Sequence, residues 1–153
     1  MLDEVVSEAL NDFRQVAALA RVTTPLTDIQ RQILHKPHKA KTLPRNYMAV
    51  YSFFLDGRAL KVGKVGPNSG PRFLSQHYTG SAKSTLRGSL LTNSARIGVA
   101  GLSPHNVADW IRINTDRVDL LIPADAGVAF LSLLEAFLHV RWNPVFEGRS
   151  VEN

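Results

Sequence analysis

The sequence predicts an α/β (α+β) domain: a small three-stranded antiparallel sheet flanked by helices, with an N-terminal helical extension. Three observations carry that expectation. Residues 47–65 hold two runs rich in aromatic and β-branched residues, joined by Asp56-Gly57, the signature of a hairpin with a type I′ turn. A third short apolar run, Val118, Leu120 and Leu121, lies at 117–122. Helical periodicity fills both ends, and the segment 126–142 is apolar nearly all round, as a buried helix is.

The 153 residues suffice for one domain with a real core, and 44% apolar content fits a globular chain rather than a disordered one. Charges interrupt every apolar run before it reaches membrane-spanning length. No cysteine is present, so disulfides and thiolate metal sites are excluded. Asp3 and Glu4 stand where a signal peptide would be basic, and a cytoplasmic location is expected.

Along the chain, residues 2–20 place Leu2, Val5, Val6, Ala9, Leu10, Phe13, Val16 and Ala17 at helical spacing. That face packs on the domain's own core or joins a homodimer. Thr24-Pro25 reads as a cap followed by the first helical residue, predicting a short helix over 25–34. Residues 35–44 form a basic, proline-bounded loop. His35 and His38 there lack a Cys or carboxylate to complete a metal site, and a mobile phosphate-contacting arm is the better functional reading. Strands over 47–55 and 58–65 follow, then a Gly/Pro/Asn/Ser loop and a helix over 71–78 opened by Pro71. Helices are expected over 82–92 and 103–115, before the third strand and the final helix, which Asn143-Pro144 ends. The organisation is 1–45, a helical extension with a basic loop, and 46–150, the main domain with a helical insert at about 79–114.

Net charge is +5, but its distribution says more. Between Ile29 and Ala108 the only acid is Asp56, against 12 of the 18 lysines and arginines. A basic middle between acidic ends suits a polyanion such as nucleic acid. Lys36, Lys39, Lys41, Arg45, Lys83 and Arg87 are the expected phosphate contacts outside the reactive centre.

Chemistry concentrates in 49–77. Lys61 and Lys64 lie on the strand paired with that of Tyr51, and cations beside a phenol favour its phenolate. Arg72 opens a helix, where backbone N–H groups and a guanidinium can hold one phosphate. Glu135 stands inside the apolar final helix, where an ionised carboxylate needs a partner or a metal. Taken singly, Tyr51 reads as a core tyrosine. Glu135 could equally belong to a polar stripe with Ser132 and His139.

In this order and spacing the residues resemble the GIY-YIG nuclease superfamily. Ala49-Val50-Tyr51 is similar to its first motif, and Lys61-Val62-Gly63 to its second. Lys64, Arg72 and His77 follow as a lysine, an arginine and a histidine do in that family. Glu135, ahead of Asn143-Pro144-Val145-Phe146, matches its metal-binding glutamate. The resemblance covers roughly 47–148. It departs in three places: Lys61 replaces the second tyrosine, Glu147 stands where a late asparagine is expected, with Asn143 as the fallback, and 79–114 is a long excursion.

The resemblance implies a metal-dependent endonuclease acting on nucleic acid, DNA before RNA, by a one-metal mechanism. Glu135 would hold Mg²⁺ or Mn²⁺, Tyr51 would act as general base with help from Lys61 or Lys64, and Arg72 would stabilise the phosphoryl charge. His77 would assist proton transfer or pack. The alternative is a non-catalytic nucleic-acid-binding module on the same fold. A partner-binding protein using the N-terminal helix would leave the charge segregation without a cause.

Overall fold

The computed structural model describes residues 1–80 and 84–146. Four antiparallel strands form one open sheet in the order β1-β4-β2-β3: β1 Gln30–Leu34, β2 Tyr47–Leu55, β3 Arg58–Val65 and β4 Asp116–Pro123. The helices are α1 Leu2–Leu19, α2 Leu86–Asn93, α3 Val107–Asn114 and α4 Val128–Trp142, with a single π-helical turn at Arg72–Gln76.

The hairpin of β2 and β3 forms as its turn residues require, with φ of 47° at Asp56 and 84° at Gly57. β2 is paired on both sides and buried on both faces, which is why it reads as a nearly continuous apolar run. One irregularity matters for everything that follows. Phe54 pairs with Ala59 but Phe53 with Lys61, so Leu60 is an extra residue bulged out of β3. Beyond the bulge, Tyr51 faces Gly63.

The expected three-stranded sheet and the helix over 25–34 are corrected by β1. Only Leu26–Asp28 are helical, as a 3₁₀ turn, and Gln30 to Leu34 pair with Leu121 to Arg117 of β4. Five residues of mixed polarity carry no local period that separates strand from helix. A long-range partner decides the matter.

Two apolar layers cover the sheet. On one face, Val6, Ala9, Phe13 and Ala17 of α1 pack with Leu131, Leu134 and Leu138 of α4 over Val50, Phe54, Val62, Val118 and Leu120. Phe13 meets Phe130 edge-on at 6.0 Å. Residues 1–34 therefore build both the core and the sheet. On the other face, Tyr51, Phe53, Val65 and Leu121 lie under Phe73, Tyr78, Leu86, Leu90, Val107 and Ile111. The expected insert thus roofs the face that carries Tyr51. Among the described residues no helix is long and apolar enough to cross a membrane.

The loop after β1 is tied down at its start. Lys36 N–H donates to Asp116 Oδ1 at 2.7 Å, and His38 N–H to Arg112 O at 2.8 Å. His38 is buried, with Nδ1 2.7 Å from Thr115 O and Nε2 2.7 Å from the Tyr78 hydroxyl.

Candidate active site

Strand alternation and the bulge decide which side chains meet. Tyr51, Lys61 and Gly63 share one face of the sheet, while Lys64 points to the other, towards α4. All reach the same place because β3 is an edge strand. Val145 N–H and Phe146 N–H bond to Ala59 O and Leu60 O, at 3.1 and 2.8 Å, and cover the start of that edge. Just beyond, a cleft of about 500 Å³ opens along Lys61, Val62, Gly63 and Lys64. Its remaining walls are Tyr51, Arg72, Ser84, Glu135, Ala136, His139 and Val140.

Tyr51 is buried along its ring, which lies across Gly63. A Cβ on residue 63 would stand 2.6 Å from the phenol Cζ and closer still to its oxygen, so only glycine admits this rotamer. Burial pushes the Tyr51 phenol above its ordinary value. The charge and hydrogen bond of Arg72 oppose this, as does Arg117, while Glu135 adds to the rise. Arg72 is held in turn, its Nη2 donating to Ser84 O at 3.0 Å.

Glu135 arrives from α4. Lys64 Nζ lies 3.1 Å from Glu135 Oε2 and 3.2 Å from Ser132 Oγ. A cationic centre thus already sits against the one carboxylate among the described residues that line the cleft. Among the described residues no three His, Cys, Asp or Glu side chains converge as a metal cluster. A carboxylate in the wall of an open cleft nevertheless fits Mg²⁺ or Mn²⁺, since such ions keep several waters and complete their shell with substrate phosphate oxygens.

His77 does not line the cleft. It is fully buried, with its ring 4.3 Å from that of Tyr51. Its Nδ1 accepts the Leu86 N–H at 3.1 Å, which places the proton of the neutral ring on Nε2. Burial first, then Arg117, Arg72 and Lys61, push its pKa down to about 2. Its position suits packing against the phenol, not proton exchange with solvent.

The least expected group is Arg117, fully buried beneath the site. Its Nε donates to Asp119 Oδ1 at 2.8 Å, Nη1 to the Tyr78 hydroxyl at 3.1 Å and Nη2 to Phe73 O at 2.7 Å. The guanidinium lies 4.6 Å from the Phe73 ring centre and 5.3 Å from that of Phe53. Arg117 thereby grips both ends of the short turn that carries Arg72 and leads to His77. In the sequence it reads as the polar start of a strand, and its partners are scattered from 73 to 119.

The expected outer contacts divide. Lys39, Lys41 and Arg45 are exposed. Lys36 is paired to Asp56 at 2.6 Å, and Arg87 Nη1 donates to Gly80 O at 3.1 Å. Lys83 and Glu147 lie outside the described residues. Asn143 is exposed at the end of α4 with φ of 41°, and is not among the cleft-lining residues. Ser84 and His139 line the cleft, although sequence reasoning gave neither a role there.

Comparison with protein-family models found no match, and neither did comparison with curated proteins or with solved structures.

Proposed function

We propose that the chain is a divalent-metal-dependent endonuclease of GIY-YIG-like architecture, cutting phosphodiester bonds of nucleic acid, DNA before RNA. One observation carries the reading: Tyr51, Arg72, Lys64 and Glu135, spread over 85 positions of sequence, line a single cleft at a sheet edge.

In this reading the scissile phosphate lies along β3, between Arg72 and Lys64. The Arg72 guanidinium, steadied by Ser84 O, accepts the charge that builds on the non-bridging oxygens. Tyr51, as its phenolate, takes a proton from the attacking water, whose oxygen bonds to phosphorus. The phosphorus–oxygen bond opposite the new one then breaks, and the leaving oxygen departs on the Glu135 side. The charges of Arg72 and Arg117 favour the phenolate that this step needs, and Lys61 lies buried on the phenol's own face. Glu135 would hold Mg²⁺ or Mn²⁺, which when bound polarises the phosphate and neutralises the leaving oxygen. His77 keeps the phenol in place through ring contact.

The Lys64–Glu135 ion pair favours a second reading, a nucleic-acid-binding module in which the carboxylate only fixes a phosphate-contacting lysine. Labelled DNA and RNA incubated with Mg²⁺, Mn²⁺ or EDTA separate the two. The nuclease reading expects products with a divalent ion, none with EDTA, and a loss of at least about 100-fold in Tyr51→Phe and Glu135→Gln. Salt-sensitive binding without products under any ion would establish the module instead.

A further inference from the structure

We propose that His139 is a second protein ligand for the divalent ion, so that Glu135 and His139 together form a carboxylate–imidazole site. The inference rests on the metal-dependent reading of the cleft and deepens it. Residues four apart on a helix stand one above the other on the same face, with Cβ atoms about 5–6 Å apart. Glu135 and His139 have that spacing on α4, and both line the cleft, with Ala136 and Val140 beside them. The ring is half-buried in the cleft wall.

A cation is already accommodated at this point of the helix. The Lys64 ammonium sits 3.1 Å from Glu135 Oε2 and 3.2 Å from Ser132 Oγ. Positive charge and oxygen donors are therefore compatible with the local geometry, and His139 supplies a nitrogen donor one turn further on. Imidazole changes which ions such a site prefers. Mg²⁺ favours oxygen and gains little from a nitrogen ligand, whereas later first-row ions such as Co²⁺ gain substantially. A site with Glu135 alone would discriminate weakly between them.

The test is direct metal binding by the full chain without nucleic acid, using isothermal titration with Co²⁺ and with Mg²⁺. Wild type, His139→Ala, His139→Gln and Glu135→Gln are compared after circular dichroism confirms that each is folded. Both His139 variants are expected to lose roughly tenfold or more in Co²⁺ affinity, with Mg²⁺ affinity changed less than about twofold. Glu135→Gln is expected to weaken both ions. If Glu135→Gln weakens both ions and the His139 variants bind Co²⁺ as wild type does, His139 is not a ligand and the proposal fails while the metal reading stands. If all three variants bind both ions as wild type does, the metal reading of Glu135 fails and takes this proposal with it.

Discussion

The phenol of Tyr51 lies directly across Gly63, so closely that any side chain at 63 would collide with it. The two residues face each other only because Leu60 is bulged out of β3. Gly63→Ala is therefore expected to expel the phenol from its rotamer. Overpacking of this kind costs about 1–3 kcal/mol, read by urea denaturation. Cleavage should fall to the level of Tyr51→Phe. An active, fully stable Gly63→Ala protein would contradict the placement of Tyr51.

Lys64 and Glu135 hold each other at 3.1 Å in a half-exposed setting, an interaction worth up to about 1 kcal/mol. Lys64→Met should tighten divalent-ion binding by up to about fivefold, because the competing ammonium is gone. Cleavage should nonetheless drop, since a phosphate contact is lost. Titration calorimetry and a cleavage assay on the same preparation read these opposite movements. A parallel fall in both would mean that Lys64 supports the ion rather than competing with it.

Burial raises the pKa of Tyr51, so the unliganded phenol is protonated at neutral pH. If the phenolate is the base, the rate should rise about tenfold per pH unit on the alkaline side until the phenol titrates. Arg72 holds that pKa down, so Arg72→Ala should move the inflection higher. The phenolate absorbance of wild type minus that of Tyr51→Phe follows the same group without any assay of cleavage.

His77 gives a stability signature at acid pH. Its folded pKa of about 2 lies far below the ordinary 6.5, so below pH 6.5 the unfolded chain binds a proton that the native state refuses. The stabilisation is complete above pH 6.5. It declines by about 1.4 kcal/mol per pH unit as pH falls towards 2. His38, also lowered by its burial, acts in the same direction. His77→Gln keeps an acceptor for the Leu86 N–H but does not titrate. Denaturation series at pH 7, 6 and 5 should therefore show a slope shallower by about one proton than wild type.

Arg117 and Asp119 form a buried pair at 2.8 Å, both without solvent exposure. Removing one partner strands the other, at a cost of about 3–5 kcal/mol, whereas replacing both with apolar residues costs much less. Arg117→Met alone should thus destabilise more than Arg117→Met with Asp119→Leu. Equal losses would mean that the contacts to Tyr78 and Phe73 O, not the ion pair, make Arg117 necessary.

The hairpin was legible because Asp56-Gly57 fixes its own backbone, whereas Glu135 among leucines and phenylalanines read equally well as a partnered carboxylate or as part of a polar stripe with Ser132 and His139. β1 was not legible, since Gln30 to Leu34 become a strand only when β4 is beside them. Nor was the bulge at Leu60. A plain two-residue hairpin would set Val62 against Tyr51 and turn Lys64, not Lys61, towards the phenol. Arg117 stayed hidden because nothing local marks an arginine for burial. Its acceptors, Phe73 O, Tyr78 and Asp119, come together only in the folded chain.

Among the described residues β3 is an edge strand, with its stretch beyond Leu60 facing the cleft. An unpaired strand edge is a template on which another chain can add a strand, and lysines are among the devices that prevent it. Among the described residues, 145–146 seal the beginning of this edge, and the stretch beyond carries Lys61 and Lys64. Lys64, the exposed cation that would grip a phosphate, thus also helps to keep one copy of the protein from zipping onto the next. Neutralising it would favour edge-to-edge aggregation.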